Sequence, residues 1–280
     1  MKLQYTAAHN GRLSTILKED MKISTGLMNR LKWQDLILVN DAPQHTDFEV
    51  KAGDAITVIL DEPEPEYPPQ DGPLTVIYED EHLIAVDKPA GMLIHPSRSK
   101  FDGTLANFVI GYYQRTGQKC AFHPVTRLDR DTFGIVLLAK HSHSHALMQA
   151  TDLTKTYHAL VLGNWPEDQG TIDAPIARRP LPSLLREVRE DGKPCLTEYE
   201  VLRREDGYTK LKLRPVTGRT HQLRVHCAHM GHPILGDPQY GNAESSFGLP
   251  SQMLCARRLE FTHPITGENL ILESTMEAAL

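Results

Sequence analysis

The segment Pro124-Val125-Thr126-Arg127-Leu128-Asp129-Arg130-Asp131-Thr132-Phe133-Gly134 sets a carboxylate among guanidinium groups, directly ahead of the apolar run Ile135-Val136-Leu137-Leu138-Ala139. A neighbouring opposite charge favours the charged form of an acid, so Asp129 is expected to be ionised and to act as a nucleophile rather than a proton donor. A second reactive stretch runs from Arg214 to Asp237 and carries Arg219, Thr220, His221, Arg224 and His226. There Thr220 is predicted to cap a helix with Leu223, Cys227 and Met230 on one side, and Gly231 to end it. A cation at a helix N-terminus opposes the macrodipole at a cost of a few tenths to about 1 kcal/mol. Asp129 is the carboxylate expected to offset Arg219. From the residues alone that pair reads equally well as a structural anchor between loop and helix, because structural ion-pair networks also perturb ionisation.

Such groups need a sheet to hold them. Thr75-Val76-Ile77-Tyr78, an acidic turn at Glu79-Asp80-Glu81 and Leu83-Ile84-Ala85-Val86 form a predicted hairpin that leaves the sheet at Lys88-Pro89-Ala90-Gly91. Leu105, Phe108, Val109 and Tyr112 keep a helical period, with Thr104 as the predicted N-cap. The apolar run after the Asp129 loop and the stretch Lys155 to Leu162 are both predicted strands. Strands at 196–204 and 208–214 flank Glu205-Asp206-Gly207, and the second alternates Lys210, Lys212 and Arg214 with Leu211 and Leu213. That alternation suits a solvated or RNA-facing sheet. No βαβ periodicity and no Gly-x-Gly-x-x-Gly appear, so the expected fold is α+β with a mixed sheet rather than a doubly wound one.

Upstream, the sequence Asp61-Glu62-Pro63-Glu64-Pro65-Glu66-Tyr67-Pro68-Pro69-Gln70-Asp71-Gly72-Pro73 alternates proline and acid and is predicted to be an extended spacer. It divides the chain into a small head, residues 1–60, a linker, 61–73, and a body, 74–280. In the head, Leu13, Ile16 and Leu17, then Leu27, Met28 and Leu31, recur at helical spacing. The stretches 36–41 and 53–59 read as strand, turn, strand. This order over residues 11–60 resembles the α-L RNA-binding fold found in a small-subunit ribosomal protein and in many RNA-modifying enzymes. Its basic residues Arg12, Lys18, Lys22, Arg30, Lys32 and Lys51 are offset by seven acids, so a protein-contact or spacer role is the rival expectation.

The chain has 280 residues and a net charge of −6, with no apolar leader at its start and no run long enough to span a bilayer. A cytoplasmic globular protein is expected, one in which nucleic acid would be held by a local basic groove rather than by overall charge. Cys120, Cys195, Cys227 and Cys255 form no Cys-x-x-Cys pair, which fits reduced, packed thiols.

Four stretches occur in order: Asp80-Glu81-His82-Leu83-Ile84-Ala85-Val86-Asp87-Lys88-Pro89-Ala90-Gly91; Arg127 to Gly134; Lys155-Thr156-Tyr157-His158-Ala159; and Gly218-Arg219-Thr220-His221-Gln222-Leu223-Arg224-Val225-His226. Together they resemble the successive motifs of the RluA-type pseudouridine synthases. The resemblance implies a pseudouridine synthase fold, with a mainly antiparallel central sheet and flanking helices behind the small α/β head. It also implies conversion of uridine in RNA to pseudouridine without cofactor or metal; the RNA is expected to be ribosomal or transfer RNA, and the protein a monomer. By resemblance, Asp129 is the nucleophile, Tyr157 stacks on the target base, Arg219 pairs with the aspartate and Arg127 helps displace the base. Lys88, Arg130, His221 and Arg224 complete the expected substrate contacts.

Three positions depart from the family pattern: Thr126 stands where histidine is usual, Phe133 where serine is usual, and Cys255 where histidine is expected. They are read as narrowing the site rather than silencing it. Two other classes of function stay open on the residues: a catalytically silent RNA-binding or ribosome-assembly factor, and a zinc hydrolase. The zinc reading rests on His141, His143 and His145, or on His226, Cys227, His229 and His232. The first set falls in a predicted helix, where residues two apart diverge.

Overall fold

The computed structural model describes residues 1–62, 65–97 and 100–279. Pro63 and Glu64 of the expected linker, and Leu280 at the end of the expected body, lie outside the described residues. The first sixty residues contain strands β1 (Lys2–Thr6) and β2 (Gly11–Arg12), helices α1 (Leu13–Glu19) and α2 (Thr25–Leu31), and strands β3 (Ile37–Val39), β4 (Ala42–Pro43), β5 (Glu49–Val50) and β6 (Ala55–Ile59). Leu13, Ile16, Leu17, Leu27, Met28 and Leu31 come from the two helical stripes and bury against Ile37, Val39, Ile56 and Val58. Ser24 caps α2 by accepting the Leu27 N–H. The sequence reading missed β1, which pairs antiparallel with β6 from Lys2↔Ile59 to Thr6↔Ala55. Its residues alternate exposed and half-buried, so no apolar run marks it.

The body adds β7 (Thr75–Glu79), β8 (Leu83–Lys88), α3 (Leu105–Arg115), β9 (His123–Pro124), β10 (Phe133–Ala139), α4 (Ser142–Gln149), β11 (Thr154–Leu162), β12 (Gln169–Asp173), β13 (Ile176–Arg178), β14 (Arg186–Val188), β15 (Leu196–Glu205), β16 (Tyr208–Pro215), α5 (Gln222–His229), β17 (Leu254–Thr262) and β18 (Asn269–Glu273). The central sheet runs β12-β15-β16-β11-β17-β10-β8-β7, with β18 on β17 and β9 on β10. Its pairings are antiparallel except β10 against β17, where Phe133 meets Cys255 and Gly134 meets Ala256. Gly134 is required there: its φ is +103°, and an added Cβ would run into the Ala256 carbonyl.

The continuous apolar run of β10 follows from burial on both faces. Val136 and Leu138 face α3 through Leu105, Val109, Ile110 and Tyr113. Ile135, Leu137 and Ala139 face the other way, toward Met148 of α4 and toward Leu259 and Phe261 of β17. Farther along the sheet, α5 covers β11 and β16 through Leu223 and Cys227 against Ala159, Val161, Leu211 and Leu213.

The opposite face of β15 and β16 is a ladder of paired charges, Lys212 with Glu200, Arg214 with Glu198 and Arg203 with Glu205. This neutralises the basic alternation read from the sequence, and the face is solvated rather than a free cationic surface for RNA. At the entry to α3, the Thr104 N–H and hydroxyl both donate to Asn107 Oδ1.

The linker lies along the body. Asn107 Nδ2 donates to the Pro68 carbonyl, Gln70 Oε1 accepts the Gly103 N–H, and Glu62 accepts the Ser142 N–H and hydroxyl. No described helix is long and apolar enough to cross a membrane.

Candidate active site

Asp129 sits in the loop that enters β10, and three contacts fix that loop. Thr126 Oγ1 accepts the Leu137 N–H at 2.9 Å, and the Thr126 N–H donates to the Leu137 carbonyl at 3.1 Å. Farther on, Lys88 Nζ donates to the Arg130 carbonyl at 2.8 Å, and also to the Pro89 and Met92 carbonyls at 2.9 Å. Lys88 is fully buried. Burial lowers its pKa to about 8, against the Asp131 and Asp129 carboxylates, which pull it up. The expectation that Lys88 contacts substrate is therefore corrected: its three donors are spent on backbone carbonyls, and it supports the loop from beneath.

The carboxylate partner also differs from expectation. Arg224 Nη1 lies 3.0 Å from Asp129 Oδ2. Arg219 makes no ion pair with Asp129 among the described residues; its Nε donates to the Pro194 carbonyl at 3.2 Å, on the exposed rim. The reason is where the helix starts. α5 opens at Gln222, not after Thr220, and His221 precedes it in the left-handed region at φ 56°.

No side chain caps the helix start, and the Gln222 side chain instead ties down the turn before it. Its Oε1 accepts the Arg219 N–H and the Thr217 hydroxyl, while its Nε2 donates to the Leu196 carbonyl and Thr197 Oγ1. Arg219 is thus left on the turn before the helix, and Arg224, on the inward face of the first turn, reaches the carboxylate.

Arg224 is itself clamped. Its Nε and Nη2 bond Asp237 Oδ2 and Oδ1 at 2.7 and 2.8 Å, Nη2 also donates to Gln239 Oε1 at 2.8 Å, and the Tyr240 ring lies 5.0 Å from its Cζ. Burial works against the Arg224 charge, but the Asp237 and Asp129 carboxylates outweigh it and raise the pKa. Burial likewise acts to raise Asp237, while Arg224 and the Gln239 and Tyr240 N–H groups hold it below the usual carboxylate range. A buried ion pair of this kind is tolerated because each nitrogen of the fork is met.

Asp237, Gln239 and Tyr240 were missed as site residues. The one available signal was Asp237-Pro238-Gln239-Tyr240, an aspartate in a turn where its side chain accepts N–H groups two and three residues on.

His221 Nδ1 lies 2.8 Å from Tyr240 Oη, and its Nε2 lies 3.8 Å from Asp129 Oδ2. Burial lowers its pKa, opposed by the Asp129 charge. Asp129 Oδ2 is therefore occupied from two sides, whereas Oδ1 accepts no hydrogen bond among the described residues.

Asp129 lines a cleft of about 870 Å³ together with Ile94, His95, Arg127, Tyr157 and Arg219 among others. Tyr157 stands on β11 where its pairing with β17 is bulged, between Thr156 and Tyr157. Burial, with a smaller contribution from Asp129, raises its phenol above the ordinary value, so it stays neutral. Arg127 is exposed on the wall and has no carboxylate partner among the described residues. Arg130 also borders the cleft, but its fork is taken by Asp131 at 3.0 and 2.9 Å.

The three departures do not disturb the carboxylate. Thr126 fastens the loop, and Phe133 and Cys255 are register partners in one apolar cluster with Leu160 and Leu235. The residues proposed for zinc diverge. His226 bonds Thr197 Oγ1 and the Ala174 carbonyl, His232 bonds the Leu162 carbonyl, and His229 is exposed. Among the described residues no group of three or more histidines, cysteines or acids is arranged to hold a metal ion.

A family model described as RNA pseudouridylate synthase matches residues 82–229. The chain is 41% identical over 202 residues to an uncharacterized RNA pseudouridine synthase of Bacillus subtilis, YjbO, covering 71% of each chain. It is 37% identical over 256 residues to ribosomal large subunit pseudouridine synthase D of Nitrosomonas europaea, covering 87% of this chain and 74% of that one. Among solved structures, human RNA pseudouridylate synthase domain containing 1 superposes with a TM-score of 0.62 at 28% identity, over 76% of this chain and 87% of its own.

Proposed function

The chain belongs to the RNA pseudouridylate synthase family and isomerises uridine in RNA, and on that footing we propose that Asp129 is its nucleophile and large-subunit ribosomal RNA its target. The observation that carries the nucleophile is the asymmetry of one carboxylate that lines the cleft, with Oδ2 tied to Arg224 and Oδ1 accepting no hydrogen bond among the described residues. Arg224 fixes the direction of the group, and Asp237 fixes Arg224.

The chemistry needs a carboxylate that can bond to the nucleoside and leave again. The N1 to C1′ bond breaks, the uracil turns, and a C5 to C1′ bond forms. C5 gives up a proton and N1 gains one, so the RNA keeps its composition. The target base must first leave its stack, at a cost of a few kcal/mol, and a neutral aromatic face such as Tyr157 returns about 1–3 kcal/mol. Arg127, unpaired and exposed on the wall, fills the space the base vacates, and Arg219 on the rim holds phosphate. The head, residues 1–60, is a second RNA contact in this reading.

The ribosomal target rests on the relatives named for the large ribosomal subunit. Mapping pseudouridine transcriptome-wide in cells with and without the protein tests it. The expected result is loss of a defined large-subunit site; loss confined to transfer RNA would refute the target.

A further inference from the structure

In the body, only Arg127, Arg178, Arg186 and Arg219 among the described arginines lack a carboxylate within ion-pair distance. Arg127 and Arg219 line the cleft. The other two stand on the small hairpin of β13 and β14, where Arg178 and Arg186 are direct register partners. Like charges placed opposite each other across two strands destabilise the pair. Here no acid separates them: Arg178 donates to the Ser183 carbonyl, and Arg186 to the carbonyls of Leu184 and Leu185.

The same hairpin shows two further features. Its tip presents Leu181 and Leu184 at 77% and 70% exposure. Its last rung before the tip is joined to the site, because the Arg186 N–H donates to Tyr240 Oη at 2.9 Å, and that oxygen also bonds His221 beside Asp129.

We propose that the β13–β14 hairpin continues the RNA track out of the cleft, with Arg219, Arg186 and Arg178 receiving successive backbone phosphates and the leucine tip packing against a base or sugar. The proposal rests on the RNA-isomerase reading and adds a surface to it. Polyanion is the occupant that fits an unopposed cation pair joined to a nucleotide site: it removes the repulsion across the rung, which an apolar or basic partner would leave in place. The opposite face of β15 and β16 has as many cations, but each is already met by glutamate.

The test compares the wild type, Arg178→Ala/Arg186→Ala, and a control on the paired face, Arg203→Ala/Lys212→Ala. Each is titrated with the unmodified large-subunit ribosomal RNA transcript over a range of salt, after its thermal midpoint is checked against wild type. The hairpin variant is expected to bind roughly tenfold more weakly. The slope of log Kd against log salt should shrink by about 1.4–1.8, two phosphates' worth. The effect should fall on KM rather than on the single-turnover rate at saturating RNA, and the control should stay within about twofold of wild type.

Unchanged affinity and slope in a folded hairpin variant would overturn the track and give the arginine pair to an acidic protein partner, with isomerisation by the wild type still standing. Equal weakening in the control would also overturn it, as generic charge. A wild type that neither binds nor converts the transcript would remove the reading beneath it.

Discussion

Arg224 carries its charge with only 5% of the side chain exposed, and that charge is useful because two carboxylates and an amide share it. A lysine at this position is a point charge on a flexible stem and cannot span Asp237 and Asp129 together. Arg224→Lys is therefore expected to lower the single-turnover rate by about 10²-fold, the scale of a misplaced reacting group, with RNA affinity changed far less. Arg219→Ala is expected to do the reverse, raising KM with the rate at saturation retained; single-turnover kinetics on the same transcript separate the two. At this scale the sequence was partly legible. Asp129, Tyr157 and Arg127 were placed in the cleft, whereas Arg219 was paired with the wrong group, since a left-handed residue at 221 shifts the helix start and no local pattern announces it. Lys88 read as a surface cation because burial under a turn is set by tertiary packing.

Elements set the limits within which those residues work. β8, β10, β11, β15 and β16 were legible because apolar runs and alternation dictate them, and β1 was not, since its burial is weak on both faces. β10 and β17 bring Phe133 and Cys255 side by side, which explains two departures from the family pattern as one apolar exchange. Phe133→Ser is expected to cost about 3–5 kcal/mol by chemical denaturation. Adding Cys255→His should recover part of it, since contacting residues couple by about 0.5–3 kcal/mol; strictly additive losses would refute the pairing. Around α4, burial lowers His141 and His143 to about 4 each from an ordinary 6.5. The unfolded chain thus binds more protons than the folded one between those values, and stability should fall as pH drops from about 6.5 toward 4. The slope per histidine is about 1.4 kcal/mol for each pH unit. Glu62 belongs to a lower window: burial acts to raise it, His123 and Ser142 outweigh that and take it to about 2, so its contribution is lost only as pH falls below about 4.5. Equal denaturation midpoints at pH 7 and pH 5 would contradict the histidine assignment.

On the scale of the molecule, cations are sorted by whether acids answer them. The net charge of −6 conceals a ladder of matched pairs on one face of the sheet and unmatched arginines around the cleft and its neighbouring hairpin. Composition shows only the sum, so the sequence predicts a local basic groove without the positions of the unmatched arginines. The head contacts the body away from the cleft, through Arg30 to Ser142 Oγ and, beside it, the linker carboxylate of Glu62. All of this serves one carboxylate, Asp129, in a cleft that Arg127 and Arg219 also line. Unmodified large-subunit ribosomal RNA transcript incubated with purified wild type, and separately with Asp129→Asn, gives the direct measurement when pseudouridine is mapped at nucleotide resolution. Conversion of a defined uridine by the wild type, reduced at least about 10³-fold in the variant while RNA binding persists, is expected of a group acting on the reacting atoms. Conversion at equal rates by both proteins would contradict the role given to Asp129.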